Sequence, residues 1–188
     1  MRTSLQTFGL SLFIVLAFLT IAIGFLFGID NPVPWIMIAV LAALPYIHKR
    51  LMARRFVSWD DEMSVGIAQI DEDHKKLLTL INHLQTAVYY PTGEAFERQA
   101  LKDLVDYTQT HFQREEELMS RHEYPDFDAH KREHEEMIVR VGQFLERYEK
   151  DREGTIEAMT QFLKAWLLTH IAGTDQKYRP YLHARGVS

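Results

Sequence analysis

At 188 residues the chain has room for an apolar hairpin of about 50 residues and one domain of about 130, with no internal repeat and no low-complexity tract. It contains no cysteine, which excludes iron–sulfur clusters and thiolate zinc sites. The net charge of -5 conceals a basic N-terminal part and an acidic remainder, a distribution that argues against a nucleic-acid partner.

The first element is an apolar run from Phe8 to Gly28 without one charged residue. As a helix it extends about 32 Å, the thickness of a bilayer core. Asp30-Asn31-Pro32 is a turn, and Val33 to Ile47 is a second apolar run broken only by Pro34 and Pro45. That run spans about 22 Å, and Tyr46, Lys49 and Arg50 can anchor its end by snorkelling. Residues 1–55 therefore read as two transmembrane helices with a basic juxtamembrane segment. A cleaved signal peptide would have a shorter apolar core and a small-residue cleavage site. Arg2 precedes the hairpin, Lys49, Arg50, Arg54 and Arg55 follow it, and the connecting turn has no positive residue. The positive-inside rule then predicts a two-span protein of the cell inner membrane with the following domain in the cytoplasm. Gly24, Ala39, Ala42 and Ala43 offer a surface for homo-oligomers through the hairpin.

Residues 56–188 carry four amphipathic helical patterns and predict an all-α, up-down-up-down four-helix bundle. The first helix is expected to open with Asp71 as N-cap and to run to about Tyr90, where Pro91-Thr92-Gly93 stops it. The second runs from about Glu94 to Arg121. Glu123-Tyr124-Pro125 breaks the chain before the third, which ends near Asp151. Gly154 and Thr155 open the fourth, which is expected to stop before Pro180. Their apolar stripes pass through His74, Leu77, Ile81, Leu84 and Val88; through Leu101, Leu104, Thr108, His111, Glu115 and Leu118; through Phe127, His130, His134, Met137, Val141, Phe144 and Tyr148; and through Met159, Leu163, Trp166 and His170.

Seven potential metal donors thus lie on inward faces: His74, His111, Glu115, His130, His134, His170 and Asp175. His111 with Glu115, and His130 with His134, are four apart and share a helix face, so each pair can grip one ion. His170 and Asp175 are five apart, about 140° round an ideal helix, and reach one centre only through a bulged turn, which Gly173 would ease. A lone inward histidine is ordinarily a hydrogen-bonded core residue, but seven inward polar groups are too many to satisfy without metal. They are also too many for one ion and suit two. His48, His83, His122 and His183 read as structural or solvent-facing, and Glu116 and Glu117 as a solvated acidic face. No serine, cysteine or lysine nucleophile points inward, so hydrolytic or covalent catalysis has no support and an enzyme is not expected.

Residues 57 to 183 resemble a bacterial hemerythrin domain. The resemblance rests on Trp59, Met63-Ser64-Val65-Gly66-Ile67 and Ile70-Asp71-Glu72-Asp73-His74; on His111-Phe112-Gln113-Arg114-Glu115-Glu116; on Tyr124-Pro125 leading to His130 and His134; and on Trp166-Leu167-Leu168-Thr169-His170-Ile171 ending in Asp175. No ligand position departs from the pattern. The resemblance implies two non-heme irons, one on His130, His134 and His170 and the other on His74 and His111. Glu115 and Asp175 would bridge them together with an oxo or hydroxo group. It further implies reversible dioxygen binding at the iron with only two histidines, with Leu167 and Trp166 forming the oxygen pocket. With a hairpin embedded in the lipid bilayer, the expected role is oxygen capture, storage or delivery to a membrane-bound oxidase or monooxygenase. The alternatives are an oxygen or nitric-oxide sensor and a di-iron oxidase or peroxidase.

Overall fold

The computed structural model describes residues 2–53 and 55–188, with side chains from residue 8 to 50 and from 55 onwards. Arg54 and the side chain of Arg2, both part of the charge asymmetry above, lie outside the described residues. Contacts divide the chain into two compact units, residues 1–55 and 56–188.

The first unit is a hairpin of α1 (Arg2–Leu26) and α2 (Pro32–Ala53). Each contains a stretch of 19 residues, Phe8–Leu26 and Pro32–Arg50, long and apolar enough to cross a bilayer, and most of those side chains are exposed. Asn31 shapes the turn, its amide donating to the Gly24 carbonyl at 3.0 Å while its side-chain oxygen accepts from the Val33 N–H at 3.1 Å. The indole of Trp35 donates to the Ile29 carbonyl, and its ring meets Phe25 edge-on. Gly24 does not belong to an outward small-residue surface. A Cβ there would lie 2.6 Å from Cγ of Pro34, so its absence is what lets the two helices close on each other.

The second unit is a four-helix bundle of α3 (Ala68–Tyr89), α4 (Glu94–Arg121), α5 (Phe127–Lys150) and α6 (Arg152–Thr169), extended by a π-helical turn His170–Thr174 and by α7 (Asp175–His183). Helix α3 packs on α4 and α6, and α5 packs on the same two, which closes the bundle. The apolar stripes form its long core, from Leu77, Ile81 and Leu84 through Leu101 and Leu104 to Met137, Val141, Phe144, Met159 and Leu163. Each such side chain contributes about 1.5–3 kcal/mol by leaving water. A second apolar cluster, containing Val65, Ile67, Ile70, Met119, Tyr124, Tyr178 and Leu182, closes one end.

Three local expectations are corrected. Asp71 is not an N-cap, because α3 begins at Ala68, just after Gly66 turns the chain at φ +69. Instead the Asp71 carboxylate reaches back from the first turn and accepts from the Ser64 hydroxyl at 2.5 Å and the Val65 N–H at 2.8 Å, fastening the preceding arm. The last helix does not stop before Pro180: α7 carries that proline inside and continues to His183. Burial of Tyr178 and Leu182 on either side outweighs a cost of about 3 kcal/mol for an internal proline. The wide turn after His170 also does not depend on Gly173, which has no positive φ and has open space where a Cβ would stand.

Candidate metal centre

The long core and the end cluster leave one polar layer between them, and all seven predicted donors fall in it. His74 comes from α3, His111 and Glu115 from successive turns of α4, His130 and His134 from successive turns of α5, and His170 and Asp175 from the two ends of the π-turn. None is more than 4% exposed. In the π-turn the Asp175 N–H bonds to the His170 carbonyl, five residues back. The wider turn brings side chains five apart to the same side, so that His170 Nε2 stands 3.1 Å from Asp175 Oδ1.

The donors form two groups that share a carboxylate: Glu115, His130, His134 and His170, and His74, His111, Glu115 and Asp175. In the first, His134 Nε2 is 3.1 Å from His130 Nε2 and 3.0 Å from His170 Nε2. Glu115 turns Oε2 toward His111 (3.4 Å), His130 (3.6 Å) and His134 (3.4 Å), and Oε1 toward His74 (3.8 Å). Asp175 does the same from the opposite side, with Oδ1 facing His130 and His170 and Oδ2 lying 3.2 Å from His74 Nε2. Both carboxylates therefore face both groups, the arrangement that a pair of bridged ions requires.

These residues fit metal on their own chemistry. Both nitrogens of His74 and of His111, Oε2 of Glu115 and both oxygens of Asp175 are buried without a hydrogen-bond partner. Leaving that many polar atoms unpaired would cost about 1–3 kcal/mol each, unless a cation takes the lone pairs of the carboxylates and of one nitrogen on each ring. Burial pushes the Glu115 carboxyl up, but the surrounding His111, His130, His134 and His74 outweigh it and hold it well below the ordinary range. Asp175 is also pushed up by burial and by Glu115, yet His170 and His74 bring it below its usual value. The site thus keeps two carboxylates ionised at its centre, ready for a hard cation.

A surrounding layer of partners escaped the sequence reading. Glu116, expected on a solvated face, is half-buried and its Oε1 lies 3.1 Å from His134 Nδ1. Glu133 Oε2 faces His170 Nδ1 at 3.5 Å and accepts from the Thr174 hydroxyl at 2.8 Å. Asp73 Oδ2 faces His111 Nδ1 at 3.7 Å, while its Oδ1 accepts from Tyr107 (2.7 Å) and Arg114 (2.5 Å). Burial raises Asp73, but His111, Tyr107 and Arg114 prevail and keep it ionised far below the usual carboxylate range. Each of these carboxylates comes from one helix and serves the histidine of the next element: α3 to α4, α4 to α5, α5 to the π-turn that follows α6. Such partners hold the outer nitrogen of a ligand histidine and aim the inner one at the ion. Tyr178 supports the shared carboxylate, its hydroxyl donating to Glu115 Oε1 at 2.5 Å. The available signal was an acidic residue beside three of the seven donors in sequence, Asp73-His74, Glu115-Glu116 and Glu133-His134.

Aromatic and aliphatic side chains seal the layer. Leu167 is buried in the long core, and half-buried Trp166 stacks on His170 at 4.3 Å with 15° between the rings. Phe112, not singled out from sequence, lies flat on His134 at 3.7 Å and 5°. His83 is exposed, and His183 Nε2 lies 3.0 Å from the Val65 carbonyl, outside the donor layer.

Comparison with known proteins agrees with this geometry. Residues 65–182 match the family model for the hemerythrin HHE cation binding domain, and both apolar helices of the hairpin lie outside that match. The chain is 37% identical over 126 residues to a bacteriohemerythrin of Stenotrophomonas maltophilia, an overlap that is 67% of this chain and 81% of the relative. It is 36% identical over 120 residues to the bacteriohemerythrin of Pseudomonas aeruginosa, covering 64% and 77% of the two chains. A hemerythrin-like protein of Naegleria gruberi is 34% identical over 128 residues, covering 66% and 92%. The crystal structure of a wild-type hemerythrin superposes with a TM-score of 0.60 at 29% identity, covering 67% of this chain and 97% of that one. The chain belongs to the hemerythrin family, whose members bind iron and dioxygen.

Proposed function

We propose that residues 56–188 hold two irons and bind dioxygen reversibly, and that residues 1–55 anchor this bundle to the inner membrane with the bundle in the cytoplasm. His130, His134 and His170 would hold one ion, His74 and His111 the other, and Glu115 and Asp175 would span both. The observation that carries the reading is the double orientation of those two carboxylates, each directed at both histidine groups. When bound, the metal pair would supply the reversible electron transfer that captures dioxygen, with His74 and His111 the group that offers fewer nitrogen donors.

The remaining work falls to the chain itself. Glu116, Glu133 and Asp73 aim the histidines, and Tyr178 holds Glu115 in place by its hydroxyl. Leu167, Trp166 and Phe112 keep water from the donor layer, which favours release of an unaltered ligand over its protonation and loss. The hairpin supports a role near a membrane-bound oxygen-consuming enzyme, since anchoring raises the carrier's concentration at that partner.

The test is anaerobic reduction of the purified, iron-loaded full chain followed by repeated exposure to oxygen and its removal, watched by optical spectroscopy. A visible band that comes and goes over many cycles is expected. Irreversible oxidation at the first exposure, or turnover of peroxide or a reductant, would move the protein to the oxidase or peroxidase class.

A further inference from the structure

The α4–α5 seam is the most thinly packed of the four that close the bundle. Between α4 and α5 lies a cleft of about 160 Å³ whose walls include Leu104, Val105, Met137, Val141, Leu145 and Leu163. The hydroxyl of Thr108, which also lines it, is spent on the Leu104 carbonyl at 2.8 Å, so it offers little to hold water. Its rim is open to solvent at the exposed side chains of Gln109 and Ile138 and half-buried at Gly142, and Gly142 has nothing within 4 Å of where a Cβ would stand. The aliphatic floor of such a space accepts small apolar molecules; an enclosed engineered cavity of about 150 Å³ binds xenon or benzene.

The cleft ends against the donor layer. Phe112 lines it and also lies flat on His134, with 3.7 Å between ring centres, so one ring separates the two spaces. Met137 follows His134 by three residues on α5 and Thr108 precedes His111 by three on α4, which puts the cleft about 5 Å along the axis from the donors, one helical turn. An apolar gas partitions into such a lining more readily than ions do.

We infer that this α4–α5 cleft is the access route and staging site for dioxygen, with Phe112 as the movable wall between it and the metal centre. The inference rests on the oxygen-binding reading above and adds the path by which that ligand arrives. A blocked route has a signature that a damaged site does not: association and dissociation slow by the same factor, and the equilibrium affinity is unchanged, because the path is common to both directions.

Gly142→Phe directs a ring into the cleft from a position with open space, and Gly142→Leu is the milder version should the larger ring disturb folding. Crystals of the metal-free full chain under xenon pressure are expected to show xenon against Phe112 and Leu163 in the native protein and none in the Gly142 variants. In iron-loaded protein, rapid-mixing kinetics are expected to show both oxygen rate constants reduced at least tenfold in Gly142→Phe, with Kd constant. Gly142→Ala should change them less than twofold. Absence of xenon from the cleft, an ordered alkyl chain in its place, or unchanged rates in Gly142→Phe would each overturn the route while leaving reversible binding intact. A native protein that takes up xenon but never binds oxygen would overturn the oxygen-binding reading, and the route with it.

Discussion

Replacing Glu116 by glutamine separates a positioning role from a structural one. The substitution keeps the size of the side chain and removes its charge. Glu116 Oε1 lies 3.1 Å from His134 Nδ1, and the side chain is 23% exposed. A full unit charge at that distance would feel about 5 kcal/mol at an effective dielectric of about 20. A metal-bound imidazole carries only a fraction of such a charge at its outer N–H, so about 1.4–2.7 kcal/mol is expected, a 10- to 100-fold loss of metal affinity. The assay is competition with a chelator of known affinity, read by metal content, alongside denaturant unfolding of the metal-free protein. Metal affinity should fall by that factor while metal-free stability moves by less than about 0.5 kcal/mol, as for an ordinary surface change. Unchanged metal affinity, or a loss confined to the stability of the metal-free bundle, would refute the positioning role.

Glu133→Gln should weaken metal binding less than Glu116→Gln in the same assay, because its contact to His170 is 3.5 Å and its side chain is 42% exposed. Two alanine substitutions should have opposite signs in denaturant unfolding. Gly66→Ala should destabilise by more than about 1 kcal/mol, since φ is +69 and its Cβ would lie 2.6 Å from His183 Cε1, whereas Gly142→Ala in an open helical position should stabilise by about 0.5–1 kcal/mol. Burial, and then the hydrogen bond to Glu97, raises the Tyr148 phenol far above its ordinary value. Its contribution is therefore fully present below the unfolded pKa of about 10 and is lost as pH rises toward the folded value, so the bundle should lose stability above about pH 10, and less so in Tyr148→Phe. The lack of cysteine permits clean topology mapping: a cysteine replacing Asp30 should react with an impermeant reagent from outside intact cells, and one replacing Ser120 only after lysis.

The donor layer was legible because helical spacing is rigid: residues four apart must share a face, and His111 with Glu115 and His130 with His134 do so. The bulged turn at His170 was legible for the same reason, as the only way Asp175 could reach the others. Glu116 was misread because a residue next to an inward donor is rotated about 100° from it, which in a bundle points at the neighbouring helix and not at water. Sequence spacing fixes that angle but does not say which helix stands there. Pro180 was misread because its local cost is set against the burial of Tyr178 and Leu182, a term that exists only once α7 is docked. The α4–α5 cleft has no sequence signal either, since its lining follows the same apolar rhythm as the closed seams.

The most direct test of the account is anomalous diffraction from crystals of the iron-loaded full chain. It predicts two iron peaks in the donor layer, one among His130, His134 and His170, the other beside His74 and His111, with Glu115 and Asp175 reaching both. A single peak, or iron bound away from these seven residues, would contradict it.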